Sequence, residues 1–374
     1  MTPSLFSPIE LGGLTLPNRI VVAPMCQYSA ENGVASDWHL IHLGSLALGG
    51  AGLLMLEAAA VEPRGRISPA DLGLYDDACE QALARVLAAV RRWGTTPAIG
   101  IQLAHAGRKA SVKRPWEGGG PLASEAGGWS PAGPSPLAFG PDWPVPDALD
   151  ASGMADIKAA FVASAERADR LGLDVIELHG AHGYLLHAFL SPLANRRDDG
   201  YGGSRERRQR FPLEVAAAVR AVWPRDRVLG IRVSATDWSE DGLSLDDTIA
   251  FVAALKEIGI DYVCASSGGI AAGIHVPVGP GYQVPLAARI KAETGMPTRA
   301  VGMIADPHQA EAIITEGKAD MVALARAYLD DPHWGWHAAQ ALGAVPAYPP
   351  QYERSLPKLW PGHALRPIGT GRTT

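Results

Sequence analysis

The sequence predicts a closed (β/α)8 barrel. Three observations carry that expectation. Short apolar runs typical of strands buried on both faces alternate with segments of helical periodicity. Eight such strand-and-helix units fill most of the 374 residues, and this alternation demands a parallel sheet. No Gly-x-Gly-x-x-Gly turn follows the first strand, which disfavours the runner-up, an open doubly wound sheet.

In order, Gly12-Gly13 between apolar residues marks a short hairpin over residues 8–17 that closes one end of the domain. The strands are expected at Ile20–Met25, Gly52–Val61, Pro97–Leu103, Val175–Leu178, Val228–Val233, Asp261–Ala265, Thr298–Val301 and Met321–Ala325. The helices are expected at about Trp38–Leu48, Ala78–Trp93, Met154–Leu171, Arg207–Val222, Leu245–Ile258, Pro285–Thr294 and Pro307–Glu316. Residues 106–150, rich in Gly, Pro, Ser and Trp, leave the third strand and read as an active-site cover, since long loops are often lids or binding loops. The whole chain, 1–374, reads as one barrel domain with its core at about 4–340. A Pro-rich tail covers about 341–374, with its last ten residues expected to be disordered.

A hydrophobic content of 47% suits a large core, and a net charge of −6 argues against a nucleic-acid binder. The basic cluster Arg205–Arg210 reads mostly as a solvated helix face. Cys26, Cys79 and Cys264 are too scattered for a disulfide framework, a zinc ribbon or an iron–sulfur site, and suit a reducing compartment. With no signal-peptide pattern and no membrane-length apolar run, the expectation is a soluble cytoplasmic protein.

The chemistry concentrates after the fourth strand, where His179, His182 and Tyr184 fall within six residues, interleaved with Gly180 and Gly183. Polar rings cost free energy in a core unless partnered, whereas strand ends on the C-terminal face of a barrel are where catalysis occurs. The His-x-x-His pair lacks the i,i+4 spacing and nearby cysteine of a zinc site, so no metal is expected. The other strand exits add Pro24, Met25, Cys26, Tyr28, Ala59, Ala60, Gln102, His105, Arg232, Ser266, Ser267, Gly302, Ala325 and Arg326. Gly302 and Arg326 mark the corner where such barrels commonly bind phosphate. Ala59 and Ala60 leave room for a flat ring, Gln102 offers an amide donor and acceptor, and Arg232 is a fixed cation. Together they describe a flavin mononucleotide site better than a site for substrate alone.

The chain resembles the Old Yellow Enzyme family of FMN-dependent ene-reductases over about residues 4–355. The resemblance rests on His179-Gly-Ala-His182-Gly-Tyr184 running on to Pro192, Asn195-Arg-Arg, Asp199-Gly-Tyr-Gly-Gly203-Ser and Arg210-Phe211. Asn18-Arg19, Pro24-Met-Cys-Gln-Tyr28, Glu57-Ala-Ala-Ala60, the Gln102–Lys109 run and Pro115-Trp-Glu-Gly118 resemble its bacterial thermophilic-like branch, which includes xenobiotic reductase. The resemblance implies flavin contacts at Pro24, Met25, Cys26, Ala60, Gln102, Arg232, Gly302, Ala325 and Arg326, with Ala325 standing where many relatives have Gly. It implies substrate-oxygen binding by His179 and His182, proton donation by Tyr184, a pocket wall at Tyr28 and redox tuning by Cys26. Gln351-Tyr-Glu-Arg354 resembles a tail that sends its arginine into a neighbouring subunit's site, which implies a homodimer or homotetramer. NADPH or NADH would be the reductant, and enones, nitro compounds and phenols the small-molecule ligands. Two rival readings are a Schiff-base lyase using Lys109 and a flavin-dependent tRNA-modifying enzyme. The first is disfavoured because Lys109 sits in the ene-reductase motif, the second by charge and by the lack of an RNA-binding extension.

Overall fold

The computed structural model describes residues 2–365. It opens with the antiparallel hairpin β1 (Ile9–Leu11) and β2 (Leu14–Leu16). There follow β3 (Ile20–Val22), α1 (Asp37–Ala47), β4 (Leu53–Ala60), α2 (Asp77–Trp93) and β5 (Ala98–Ala104). The segment 106–150 contains the short parallel pair β6 (Ala132–Gly133) and β7 (Asp147–Ala148). Then come α3 (Ala151–Arg170), β8 (Val175–Gly180), α4 (Leu185–Leu190), α5 (Arg205–Val222), β9 (Val228–Ser234), α6 (Leu245–Ile258) and β10 (Tyr262–Ser266). The described part continues through α7 (Val284–Thr294), β11 (Thr298–Val301), α8 (Pro307–Thr315), β12 (Met321–Leu324), α9 (Arg326–Asp330) and α10 (Trp334–Ala341).

Eight parallel strands close in the order β3-β4-β5-β8-β9-β10-β11-β12. The seam pairs Ile20, Val21 and Val22 with Val322, Ala323 and Leu324. Side chains of a strand alternate between its two faces, and β4 shows this directly. Leu53 and Met55 join the core inside the barrel, while Leu54 and Leu56 join the core shared with the helices. Leu11 and Leu16 of the hairpin pack on the inner core, so the hairpin plugs one end of the barrel as expected.

Helix starts are set by side-chain caps. Asp76, Asp150, Ser244 and Asp306 accept from the backbone N–H groups of Cys79, Gly153, Asp247 and Gln309 at 2.7–3.1 Å. Each such cap stabilises its helix by about 1 kcal/mol. The Asp150 cap starts α3 three residues before the expected Met154. β3 ends at Val22 rather than Met25, because Pro24 has no N–H for the ladder.

The barrel interior holds a buried polar layer. Glu177 pairs with Arg299, accepts from Tyr262 Oη at 2.9 Å and accepts from Gln102 Nε2 at 2.8 Å. The cluster 205–210 is only partly a solvated face. Arg208 and Gln209 are buried, and Arg208 Nε donates to the Leu190 carbonyl at 2.8 Å, tying α5 to α4. Apart from Leu365, the ten residues expected to be disordered lie outside the described residues.

Candidate active site

The site is built from strand ends at one mouth of the barrel. His179 is the penultimate residue of β8 and pairs in register with Arg232 of β9. Partners in a parallel register share a face, so the imidazole and guanidinium point the same way. After β8 the chain turns sharply: His182 has φ +59° and Gly183 φ +78°. A Cβ on Gly183 would lie 2.2 Å from the Gly269 carbonyl oxygen, so only glycine lets the two loops approach. The left-handed conformation of His182 costs about 1–3 kcal/mol and persists because its surroundings hold it.

Those surroundings are specific. His182 donates its backbone N–H to Ser234 Oγ at 2.9 Å, and its ring Nε2 lies 2.7 Å from Ser266 Oγ. Gly183 N–H donates to His187 Nδ1 at 2.8 Å, and His187 Nε2 lies 3.0 Å from Asp237 Oδ1, with both side chains fully buried. Lys109 Nζ donates to the carbonyls of His182 at 2.8 Å and Gly269 at 3.0 Å.

The turn brings three rings together. His179 meets His182 edge-on at 5.1 Å and Tyr184 at 4.8 Å between centroids. Burial, and then the Arg232 charge, push both imidazoles well below the ordinary histidine range, so both are neutral at pH 7. Ala181 N–H donates to His179 Nδ1 at 3.2 Å, which leaves the proton on Nε2. Burial holds the Tyr184 phenol well above its ordinary range, so it is a protonated acid. Arg232 Nε is buried without a hydrogen-bond partner among the described residues.

The opposite wall comes from β3 and β4. Burial, then the charges of Asp71 and Glu57, push the Cys26 thiol well above its ordinary value, so no thiolate forms at neutral pH. Asp71 itself is raised by burial to about 7. Cys26, Tyr28, Trp129, Trp143 and Tyr184 pack with Ile67, Ala106, Ala110 and Val112 as one cluster. Through Trp129 and Trp143 the segment 106–150 packs against Cys26, Tyr28 and Tyr184. Buried Arg108 fastens it by donating to the carbonyls of Leu137, Ala138 and Ile270.

Residues 4–344 match the model of the NADH:flavin oxidoreductase / NADH oxidase family. The chain belongs to this family, the Old Yellow Enzymes. It is 44% identical to an NADPH dehydrogenase of Geobacillus thermodenitrificans (strain NG80-2), covering 95% of this chain and 99% of that protein. A morphinone reductase solved in complex with tetrahydroNAD superposes with a TM-score of 0.74 at 27% identity, over 94% of each chain. A 2-naphthoyl-CoA reductase superposes with a TM-score of 0.82 over 90% of this chain. This chain spans 52% of that one at 22% identity, a likeness of fold alone.

As an Old Yellow Enzyme the chain is a flavin-dependent oxidoreductase that uses FMN and a reduced nicotinamide. Its residues fit the cofactor. The unpartnered Arg232 Nε is a buried donor in need of an acceptor, which an electron-rich flavin edge would supply. Gly302 has φ +114°, and a Cβ there would lie 2.6 Å from Gln283 Nε2, so the corner after β11 is open only because it is glycine. Ala59 and Ala60 close β4 with small side chains, and Pro24 and Met25 sit half-buried at the exit of β3.

Some expected residues behave differently in detail. His179 lies within β8 rather than just after it, and Arg232 lies inside β9, within the expected span Val228–Val233. One Gln102 donor is committed to Glu177. His105 is absorbed by a bond to Glu62 Oε1 at 2.8 Å and by the Gly107 N–H. Ala325 precedes the five-residue α9, and Arg326 is exposed. Arg354 lies exposed in the 3₁₀ turn Pro350–Ser355, and no hydrogen bond or ring contact joins it to the histidine–tyrosine cluster of its own chain. Cys79 and Cys264 are buried, as small core residues. Sequence reasoning gave no role to Asp71, His187, Asp237 or Gln283. His187 lies inside the recognised motif, but its partner is fifty positions away and carries no local signal.

Proposed function

We propose that this Old Yellow Enzyme reduces the activated C=C bond of α,β-unsaturated carbonyl or nitro compounds with NADPH or NADH as reductant. The observation that carries the reading is the meeting of His179, His182 and Tyr184 at ring distances of 5.1 and 4.8 Å beside Arg232. Hydride transfer from the nicotinamide to the β-carbon of the alkene is the chemistry that FMN would supply when bound. The chain's own groups do the rest. Neutral N–H groups of His179 and His182 donate to the substrate oxygen and stabilise the negative charge that grows there. Tyr184 gives its phenolic proton to the α-carbon as general acid, and solvent restores it. Pro24, Met25, Cys26, Ala60, Gln102, Gly302, Ala325 and Arg326 join Arg232 in holding the cofactor, and Tyr28 lines the substrate side. Phenols bind as mimics of the enolate-like transition state.

The rival lyase reading is disfavoured because Lys109 Nζ is already committed to two carbonyl oxygens. The curated relative's name, NADPH dehydrogenase, supports NADPH as the reductant.

The test is an anaerobic spectral titration followed by rapid mixing. The yellow protein should bleach with NADPH and regain its colour with 2-cyclohexen-1-one. Tyr184→Phe should slow reoxidation by the enone and spare reduction by NADPH. Equal loss of both steps would remove Tyr184 from the proton-donor role. A colourless protein that cannot take up FMN would end the whole reading.

We further propose a homodimer or homotetramer in which Arg354 reaches a neighbouring site. Arg354→Ala should weaken phenol binding without changing the oligomer's mass by sedimentation, and unchanged binding would discard the contact.

A further inference from the structure

Ser266 closes β10, and its single hydroxyl proton has two acceptors within reach. His182 Nε2 is 2.7 Å away and Gln283 Oε1 is 3.3 Å away. The Gln283 amide can face only one way, because its Nε2 donates to the Val301 carbonyl at 2.9 Å. Its Oε1 is therefore turned toward the serines, and Ser267 Oγ already donates to it at 2.6 Å. An O–H donor prefers an acceptor within roughly 2.5–3.0 Å. At 3.3 Å the Gln283 contact is long for an O–H donor, so His182 Nε2 at 2.7 Å is the better-placed acceptor for the Ser266 hydroxyl. A neutral imidazole carries one ring proton, and with Nε2 accepting, that proton sits on Nδ1.

We propose that Ser266, with Ser267 filling the competing acceptor on Gln283, is a positioning residue that holds His182 in the Nδ1–H tautomer. The proposal rests on the reading of His182 as a donor to the substrate oxygen. The opposite tautomer would spend the ring's only N–H on Ser266 and turn a lone pair toward the oxygen, which repels a developing anion. His179 is set the other way. Its Nδ1 accepts from Ala181 N–H at 3.2 Å, so its free N–H is Nε2. The two rings are thus fixed as opposite tautomers by two unrelated partners, one a backbone amide and the other a serine on a different strand. Each keeps one N–H for the substrate.

The experiment uses the FMN-loaded protein labelled with ¹⁵N-histidine. Long-range ¹H–¹⁵N correlation spectra distinguish a protonated ring nitrogen from a bare one, and His182→Asn assigns the His182 signals by their loss. The wild-type spectrum should show His182 with Nδ1 protonated and Nε2 bare, and the reverse overturns the proposal. Ser266→Ala should mix or invert the tautomer and weaken binding of 4-hydroxybenzaldehyde by about ten- to a hundredfold. Ser266→Thr, which keeps the hydroxyl, should restore both readouts, and Ser266→Cys, a weaker donor of similar size, should fall between. A Ser266→Ala protein with an unchanged His182 spectrum and unchanged affinity overturns the proposal even if the enzyme remains active. If His182→Asn leaves phenol affinity intact, the donor reading itself fails, and the spectrum still reports the tautomer separately.

Discussion

Lys109 Nζ donates to the carbonyl of His182 at 2.8 Å, holding the one histidine of the cluster whose backbone is left-handed. The same ammonium bonds the Gly269 carbonyl and lies 4.5 Å from the Phe139 ring centroid and 5.4 Å from that of Tyr184. One side chain therefore ties the strand-end turn, the loop after β10 and the 106–150 segment into one unit.

Removing that tie should loosen the His182 turn. Lys109→Met is expected to lower the rate of enone reduction by roughly tenfold or more, as small misplacements of catalytic groups do. Flavin reduction by NADPH should change less, as rapid mixing would show.

Lys109 also makes a pH prediction. Burial lowers its amine from the ordinary 10.5 to about 8. Below pH 8 the folded and unfolded chains both carry the charge. Between 8 and 10.5 the unfolded chain holds a proton that the folded chain has released, so this group makes stability rise with pH across that window. Urea denaturation of wild type and Lys109→Met should differ by that rise. Parallel curves would show that the amine is not perturbed.

Asp71 has the opposite sign. Burial raises its carboxyl from 3.8 to about 7, so between these values the folded chain keeps a proton that the unfolded chain has lost. Stability from this group is full below 3.8 and is lost as pH rises to about 7. Asp71→Asn should remove that decline, which denaturation midpoints would read. It should also lower the Cys26 thiol pKa, because the Asp71 charge is one of the causes that raise it after burial. Faster alkylation of Cys26 at fixed pH would be the measure.

The His187–Asp237 pair supports the turn from beneath. Burial alone would raise the Asp237 carboxyl, but His187, the Ser191 hydroxyl and the Leu243 N–H together hold it below its ordinary range. Asp237→Ala strands a buried imidazole and should cost about 3 kcal/mol in denaturation. Because His187 holds Gly183, phenol affinity should fall in parallel.

Inside the barrel, Arg299→Met would leave Glu177 with only Tyr262 and Gln102 as partners, and should destabilise by about 3–5 kcal/mol. Adding Glu177→Gln should recover most of that loss, since no unpaired charge then remains. A double variant as unstable as the single one would mean that the ion pair itself, rather than an orphaned charge, carries the stability.

Much of this molecule is legible along the chain. The alternation of apolar runs and helical periods specifies eight parallel strands, because each strand must bury both faces and each helix one. The motif from His179 to Tyr184 announces chemistry, because three polar rings in six residues have no cheap place in a core. The hairpin and most boundaries of the eight barrel strands and the helices expected between them follow from turn residues and caps, whereas β6, β7, α4, α9 and α10 carry no such signal.

What the chain order could not decide is pairing across distance. Which neighbours Arg232 and His179 keep, and that Glu177 faces Arg299 rather than solvent, depend on strand register around a closed barrel. The neutrality of the histidines, the raised Asp71 and the lowered Lys109 come from burial, which no short stretch of sequence reports. The sequence by itself determined the fold and the stretch in which the polar rings fall. The tertiary structure alone decided their protonation and partners, because both depend on what folding brings within a few ångströms and on how much water it removes.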